Sequence, residues 1–106
     1  MKFLSVFTEE TFTLVKFTNG RMFDEASISE LGSELLEVVE ATPEKSKVIL
    51  DFTGVDYLSS AALGKMITMN KKLKEKEIIL ILKNMSENIH EVFVITRLDK
   101  FFKIEV

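Results

Sequence analysis

Residues 48–67, VILDFTGVDYLSSAALGKMI, decide how the rest of the chain is read. Val48, Ile49, Leu50, Asp51 and Phe52 form a short, β-branched apolar run of the kind that makes a buried strand. Thr53-Gly54 interrupts the run, and Val55 to Leu58 lead into Ser59-Ser60. Beyond the serines, Leu63, Met66, Ile67 and Leu73 recur at helical spacing, which predicts a helix starting at or beside the two hydroxyls. Such a junction sets unpaired backbone N–H groups and the positive end of a helix dipole beside Ser59 and Ser60. A phosphate is tolerated at such a place. A capping serine and its neighbour account for the same pattern without any function.

The chain has 106 residues, enough for one domain (1–106) with a single core. Its apolar and charged fractions are those of an ordinary globular protein. Fourteen basic against seventeen acidic side chains give a net charge of −3, and no basic stripe points to nucleic acid. Lys71, Lys72, Lys74 and Lys76 cluster, but Glu75 and Glu77 interrupt them, as at a solvated helix end. The absence of cysteine removes disulfides, thiolate metal sites and cysteine nucleophiles, and fits a reducing compartment. Glu9 breaks any signal-peptide core, and no apolar run reaches membrane-spanning length. The expectation is a cytoplasmic protein with no membrane part.

Enzymatic chemistry finds little footing. His90, the single histidine, lies among acids on a predicted surface helix, away from metal-ligand or triad spacing. Asp51 and Asp56 read as a strand-end acid and a turn acid. The glycines are too scattered for a phosphate-cradling loop. No catalytic residue, metal or cofactor is expected.

Working outward, residues 3–7 and 11–17 are β-prone and close enough to pair as an edge hairpin. Phe12, Leu14 and Lys16 fall on one face of the second segment, with Thr11, Thr13, Val15 and Phe17 on the other. Two apolar faces predict a largely covered strand. After the Asn19-Gly20 turn, Asp24 caps the first helix, or Ser27 and Glu30 form a capping box. Ile28, Leu31, Leu35, Val38 and Val39 trace its apolar stripe, with Glu30, Glu34, Glu37 and Glu40 opposite; Thr42-Pro43 ends it. Residues 78–82, IILIL, read as a strand covered on both sides. Ser86 opens a third helix, and residues 103–106 form a last short strand. The order ββαβαβαβ predicts an α/β fold, a mixed, mainly parallel sheet of about five strands packed with helices.

Residues 51–64, DFTGVDYLSSAALG, resemble the core signature of the STAS family, the anti-sigma factor antagonists. Residues 96–104, TRLDKFFKI, resemble the family's Thr-Gly-Leu-Asp-Lys-Leu-Phe-x-Ile segment, with Arg97 where glycine is usual. If position 97 is a left-handed cap, arginine costs up to about 1 kcal/mol against glycine. The resemblance implies a single STAS-like domain acting as a regulatory protein-binding module. Its partner would be an anti-sigma factor with serine kinase activity, and phosphorylation would switch the binding. By the same resemblance the acceptor falls on Ser60, with Ser59 the alternate. Ser59 stands where the family has aspartate, Ala61 where it has serine or alanine, and Ala62 where it has glycine.

The implied partner surface comprises Asp24, Asp56, Ser59, Ser60, Ala61, Ala62 and Gly64. Asp24 enters because residues 20–27 resemble the family's Gly-x-Leu-Asp-x-x-Thr, with one extra residue before the acid. Gly64 lies early in its helix, where a missing side chain permits either close packing or the close approach of a partner. The departures at Ser59 and Ala62 favour an alternative, a non-phosphorylated STAS scaffold or an accessory subunit of a signalling particle or transporter complex.

Overall fold

A computed structural model of the chain describes residues 1–18 and 25–105. Its elements run β1 (Leu4–Thr8), β2 (Phe12–Phe17), α1 (Glu25–Ala41), β3 (Lys47–Asp51), α2 (Ser60–Glu75), β4 (Ile79–Lys83), α3 (Glu87–Ile95) and β5 (Lys103–Glu105). A single 3-10 turn, Leu98–Lys100, precedes the last strand. The five strands form one sheet in the order β1-β2-β3-β4-β5. β1 and β2 are the expected antiparallel hairpin, and every later pair is parallel. The mixed, mainly parallel α/β prediction therefore holds.

That order has a physical consequence. Each crossover steps the same way along the sheet, and right-handed crossovers then carry every helix to the same face. On that face Val15, Leu50 and Leu82 are fully buried with Leu31, Leu35, Met66, Met69 and Leu73 of the helices. Four tilted or edge-on ring pairs extend the core past the strand ends, from Phe17 through Phe52, Phe93 and Phe102 to Phe101. The opposite face carries no element among the described residues. The predicted two-sided cover of β2 and β4 is thus corrected. Leu14 and Phe12 are half-buried, Lys16 is exposed, and Ile79 keeps 47% of its surface. A continuous apolar run is compatible with one covered face when cross-strand neighbours shield the other.

Two charged side chains leave the roles their spacing gave them. Glu34 sits at a helical position shared with the solvated acids, yet it is 6% exposed. Its carboxylate accepts from the backbone N–H of Lys2 (3.2 Å), Phe3 (2.9 Å) and Leu4 (3.0 Å), clamping the entry of β1 onto α1. Lys76, read as part of a solvated cluster, donates to the carbonyls of Val39 and Thr42, each at 2.7 Å. It caps the C-terminal end of α1, where unpaired carbonyls and the negative dipole end favour a cation.

Helix boundaries follow the sequence signals. Ser86 caps α3 by accepting from Ile89 N, and α1 stops just before Thr42-Pro43. Ser27 lies inside α1, so the Ser27–Glu30 capping box is not the start of that helix; Asp24 lies outside the described residues. Arg97 adopts the left-handed conformation with φ 63°. Replacing it with glycine is expected to raise the unfolding free energy by about 0.5–1 kcal/mol in urea denaturation.

Candidate functional site

The loop between β3 and α2 is held from below and open above. Phe52, Val55 and Leu58 point into the core and anchor it. Gly54 takes the positive φ of 83° that the tight turn requires, and Val55 N donates to Phe52 O across it. Thr53, Asp56 and Tyr57 are left on the outside. At the strand end Asp51 is buried and accepts from Thr53 N (2.9 Å), Thr53 Oγ1 (2.7 Å) and Asn84 Nδ2 (3.1 Å). Burial alone would raise its pKa; the bonds from Thr53 and Asn84, with the charge of Lys16, outweigh it and hold the carboxyl below its usual value. Asp51 is thus a brace between two loops.

The sign of that shift sets a pH dependence. A depressed native pKa stabilises the fold above the unfolded value of about 3.9, and the contribution is lost as pH falls through the native value. The stability advantage of the wild type over Asp51→Asn, measured by urea unfolding, is expected to be full at neutral pH. It should shrink steadily below about pH 4.

Above this brace the two serines divide. Ser59 is the N-cap, extended at φ −78° and ψ 161°, and its hydroxyl accepts from Ala62 N at 3.1 Å. Ser60 is the first helical residue and is exposed, with no hydrogen bond to its hydroxyl among the described residues. The N–H groups of Ser60 and Ala61 have no intrahelical acceptor, and no acidic side chain occupies the first turn to offset the dipole. A dianion on Ser60 would meet unpaired N–H donors and the positive end of the dipole, with no acidic side chain in the first turn of the helix.

Along α2 the exposed residues Ser60, Gly64 and Thr68 form one ridge, beside Ala61 and Lys65. A Cβ built on Gly64 would meet nothing within 4 Å, so close packing inside the molecule is not its role. Gly32 does that work instead: a Cβ there would lie 2.7 Å from Lys65 Cδ, where the lysine crosses from α2 to α1. The surface is flat, small-sided and outward-facing.

The family model described as STAS domain matches residues 8–106. The chain belongs to the STAS domain family. A solved structure similar to it is that of an anti-sigma-factor antagonist (STAS) domain protein from Planctomyces limnophilus, with a TM-score of 0.84 and 22% sequence identity. The match covers 95% of this chain and 87% of that one.

The STAS fold brings Asp56, Ser59, Ser60, Ala61 and Gly64 to one end of the domain. Ala62 is corrected out of the expected contact set: its methyl is 1% exposed and its N–H is taken by Ser59. Sequence reasoning passed over Tyr57, 40% exposed, and Lys65, exposed beside the ridge. The only signal for Tyr57 is its place between the anchors Val55 and Leu58, which turns the intervening side chains outward. Among the described residues, no group of three histidine, cysteine or acidic side chains is disposed to hold a metal. No helix among them is long and apolar enough to cross a membrane.

Proposed function

We propose that this STAS domain is an anti-sigma factor antagonist, a cytoplasmic, non-catalytic binding module that docks an anti-sigma factor with serine kinase activity. Phosphorylation of Ser60 switches it off. The observation that carries this reading is the division between the serines: Ser59 is consumed by capping, and Ser60 offers an unoccupied hydroxyl at a helix N-terminus whose first turn holds no acidic side chain. The structural neighbour's description as an anti-sigma-factor antagonist points the same way.

The two departures from the family pattern lose force against the geometry. Serine replaces aspartate at the N-cap, where the two residues cap about equally well. Alanine replaces glycine at 62, where the added methyl faces the core and leaves the outer surface unchanged. Neither change removes the acceptor. Gly64 marks where the partner comes closest. Gly64→Leu is expected to leave the melting temperature equal or slightly higher, since leucine suits a helix better, while binding falls about 100-fold by titration calorimetry.

The test is phosphate mapping. The protein is incubated with the serine-kinase anti-sigma factors of its source genome, and the label is located by mass spectrometry. Label on Ser60, lost in Ser60→Ala and kept in Ser59→Ala, is the expected result. The reverse pattern overturns the assignment. Failure to accept phosphate, together with a stable stoichiometric complex, selects the scaffold or accessory-subunit alternative.

A further inference from the structure

The sheet face turned away from the helices is a second surface of defined chemistry. By strand register, Phe7, Leu14, Ile49 and Ile81 lie side by side in one row that ends at Lys103. The row on one side reads Phe12, Lys47, Ile79, and the row on the other Ser5, Lys16, Asp51, Lys83, Glu105. Ile81 is 5% exposed yet stands apart from the helix-side core, whereas Phe7 keeps 53% of its surface. The result is a shallow depression lined by Phe12, Lys47, Ile49, Ile81, Lys83 and Glu105. Within these rows four lysines face two carboxylates, a positive surplus on a chain whose total charge is −3. The charge of Asp51 is met by Lys16, its cross-strand neighbour, and that of Glu105 by Lys83 at 3.5 Å, so Lys47 and Lys103 set the sign.

We propose that this face docks an acidic amphipathic helix of a partner protein. An apolar row flanked by cations complements a helix with an apolar stripe and glutamates on either side of it. Five strands at the usual spacing make the row about 19 Å long, which matches the rise of about 13 helical residues. A second copy of the chain is the poorer occupant, because two such faces would bring like charge together. A bilayer is poorer too, since Ile81 at the centre of the row is buried and Ile49 half-buried, which leaves little apolar side chain to insert. The surface is separate from Ser60, so it stands whether or not Ser60 is phosphorylated.

The probe is a fluorescein-labelled, stapled helical peptide of about 14 residues, with leucine at i, i+3, i+4 and i+7 and glutamate elsewhere. A matched peptide carries lysine in place of glutamate. Polarisation titrations should show the glutamate peptide bound at least about tenfold tighter, and Lys47→Glu with Lys103→Glu should remove that preference. Phe7→Ser should weaken binding about tenfold, with the melting temperature of each variant checked against wild type. Equal binding of the two peptides, or indifference to the lysine reversals, overturns the proposal. So does a concentration-dependent dimer abolished by Phe7→Ser, which assigns the face to a second copy. Tighter capture by phosphatidylglycerol vesicles than by the glutamate peptide overturns it in favour of a membrane surface.

Discussion

Replacing Glu34 with alanine is expected to lower the unfolding free energy by about 3 kcal/mol, a large share of what a domain of this size possesses. The carboxylate is the acceptor for the N–H groups of Lys2, Phe3 and Leu4, and Phe3 and Leu4 are buried. Alanine strands these donors where water reaches them poorly, and it frees the entry of the edge strand. The melting temperature should fall by about 15 °C in calorimetry. Glu30→Ala, one helical turn earlier, supplies the contrast. Its carboxylate is exposed and reaches Lys2 only at 3.9 Å, so its loss should cost under about 0.5 kcal/mol. Equal effects from the two substitutions would refute the clamp.

Phosphorylation of Ser60 is expected to weaken binding of the anti-sigma factor about 100- to 1000-fold, equivalent to about 3–4 kcal/mol. The added charge of about −1.5 to −2 sits at the centre of the proposed contact surface, where a partner must desolvate it. The fold itself should not suffer. The first-turn N–H groups and the positive end of the dipole receive the phosphate, so the melting temperature should stay within about 3 °C or rise. Calorimetric titration of unmodified and phosphorylated protein, with a thermal scan of each, separates surface blocking from unfolding. Loss of affinity accompanied by loss of the first turn of α2 would mean that the switch is conformational.

Local signals and long-range ones differed in how far the sequence carried them. The strand at residues 47–51 and the cap at Ser86 are set by neighbours a few residues away and were legible, to within one residue for the strand; the left-handed Arg97 entered only as a condition, through the family resemblance. Glu34 was not, because its partners arrive from a strand about thirty positions earlier. A helical wheel records only that it lies with other acids. Lys76 was hidden for the same reason: the carbonyls it caps, of Val39 and Thr42, lie at the end of α1, more than thirty residues upstream. The open sheet face depended on strand order. An apolar run such as residues 78–82 reads alike whether helices cover both faces or one, and only the unidirectional order decides.

The candidate site divided along the same line. That a hydroxyl stands at the strand-to-helix junction was written in the spacing, but which serine caps and which stays outside is a matter of one residue of register. Ala62 was misplaced by the same margin. Its position on the helix turns it inward, whereas Ser60, Ala61 and Gly64 turn out.

The central claim is that the exposed start of α2 at Ser60, Ala61 and Gly64, with exposed Tyr57 in the loop that leads to it, is what the anti-sigma factor reads. Amide-resolved NMR of the labelled domain during titration with that factor tests it most directly. Chemical-shift changes centred on Tyr57, Ser60, Ala61 and Gly64, and abolished by Gly64→Leu, are the expected result. Changes confined to α3 or to the helix-free face of the sheet, with the start of α2 silent, would contradict it.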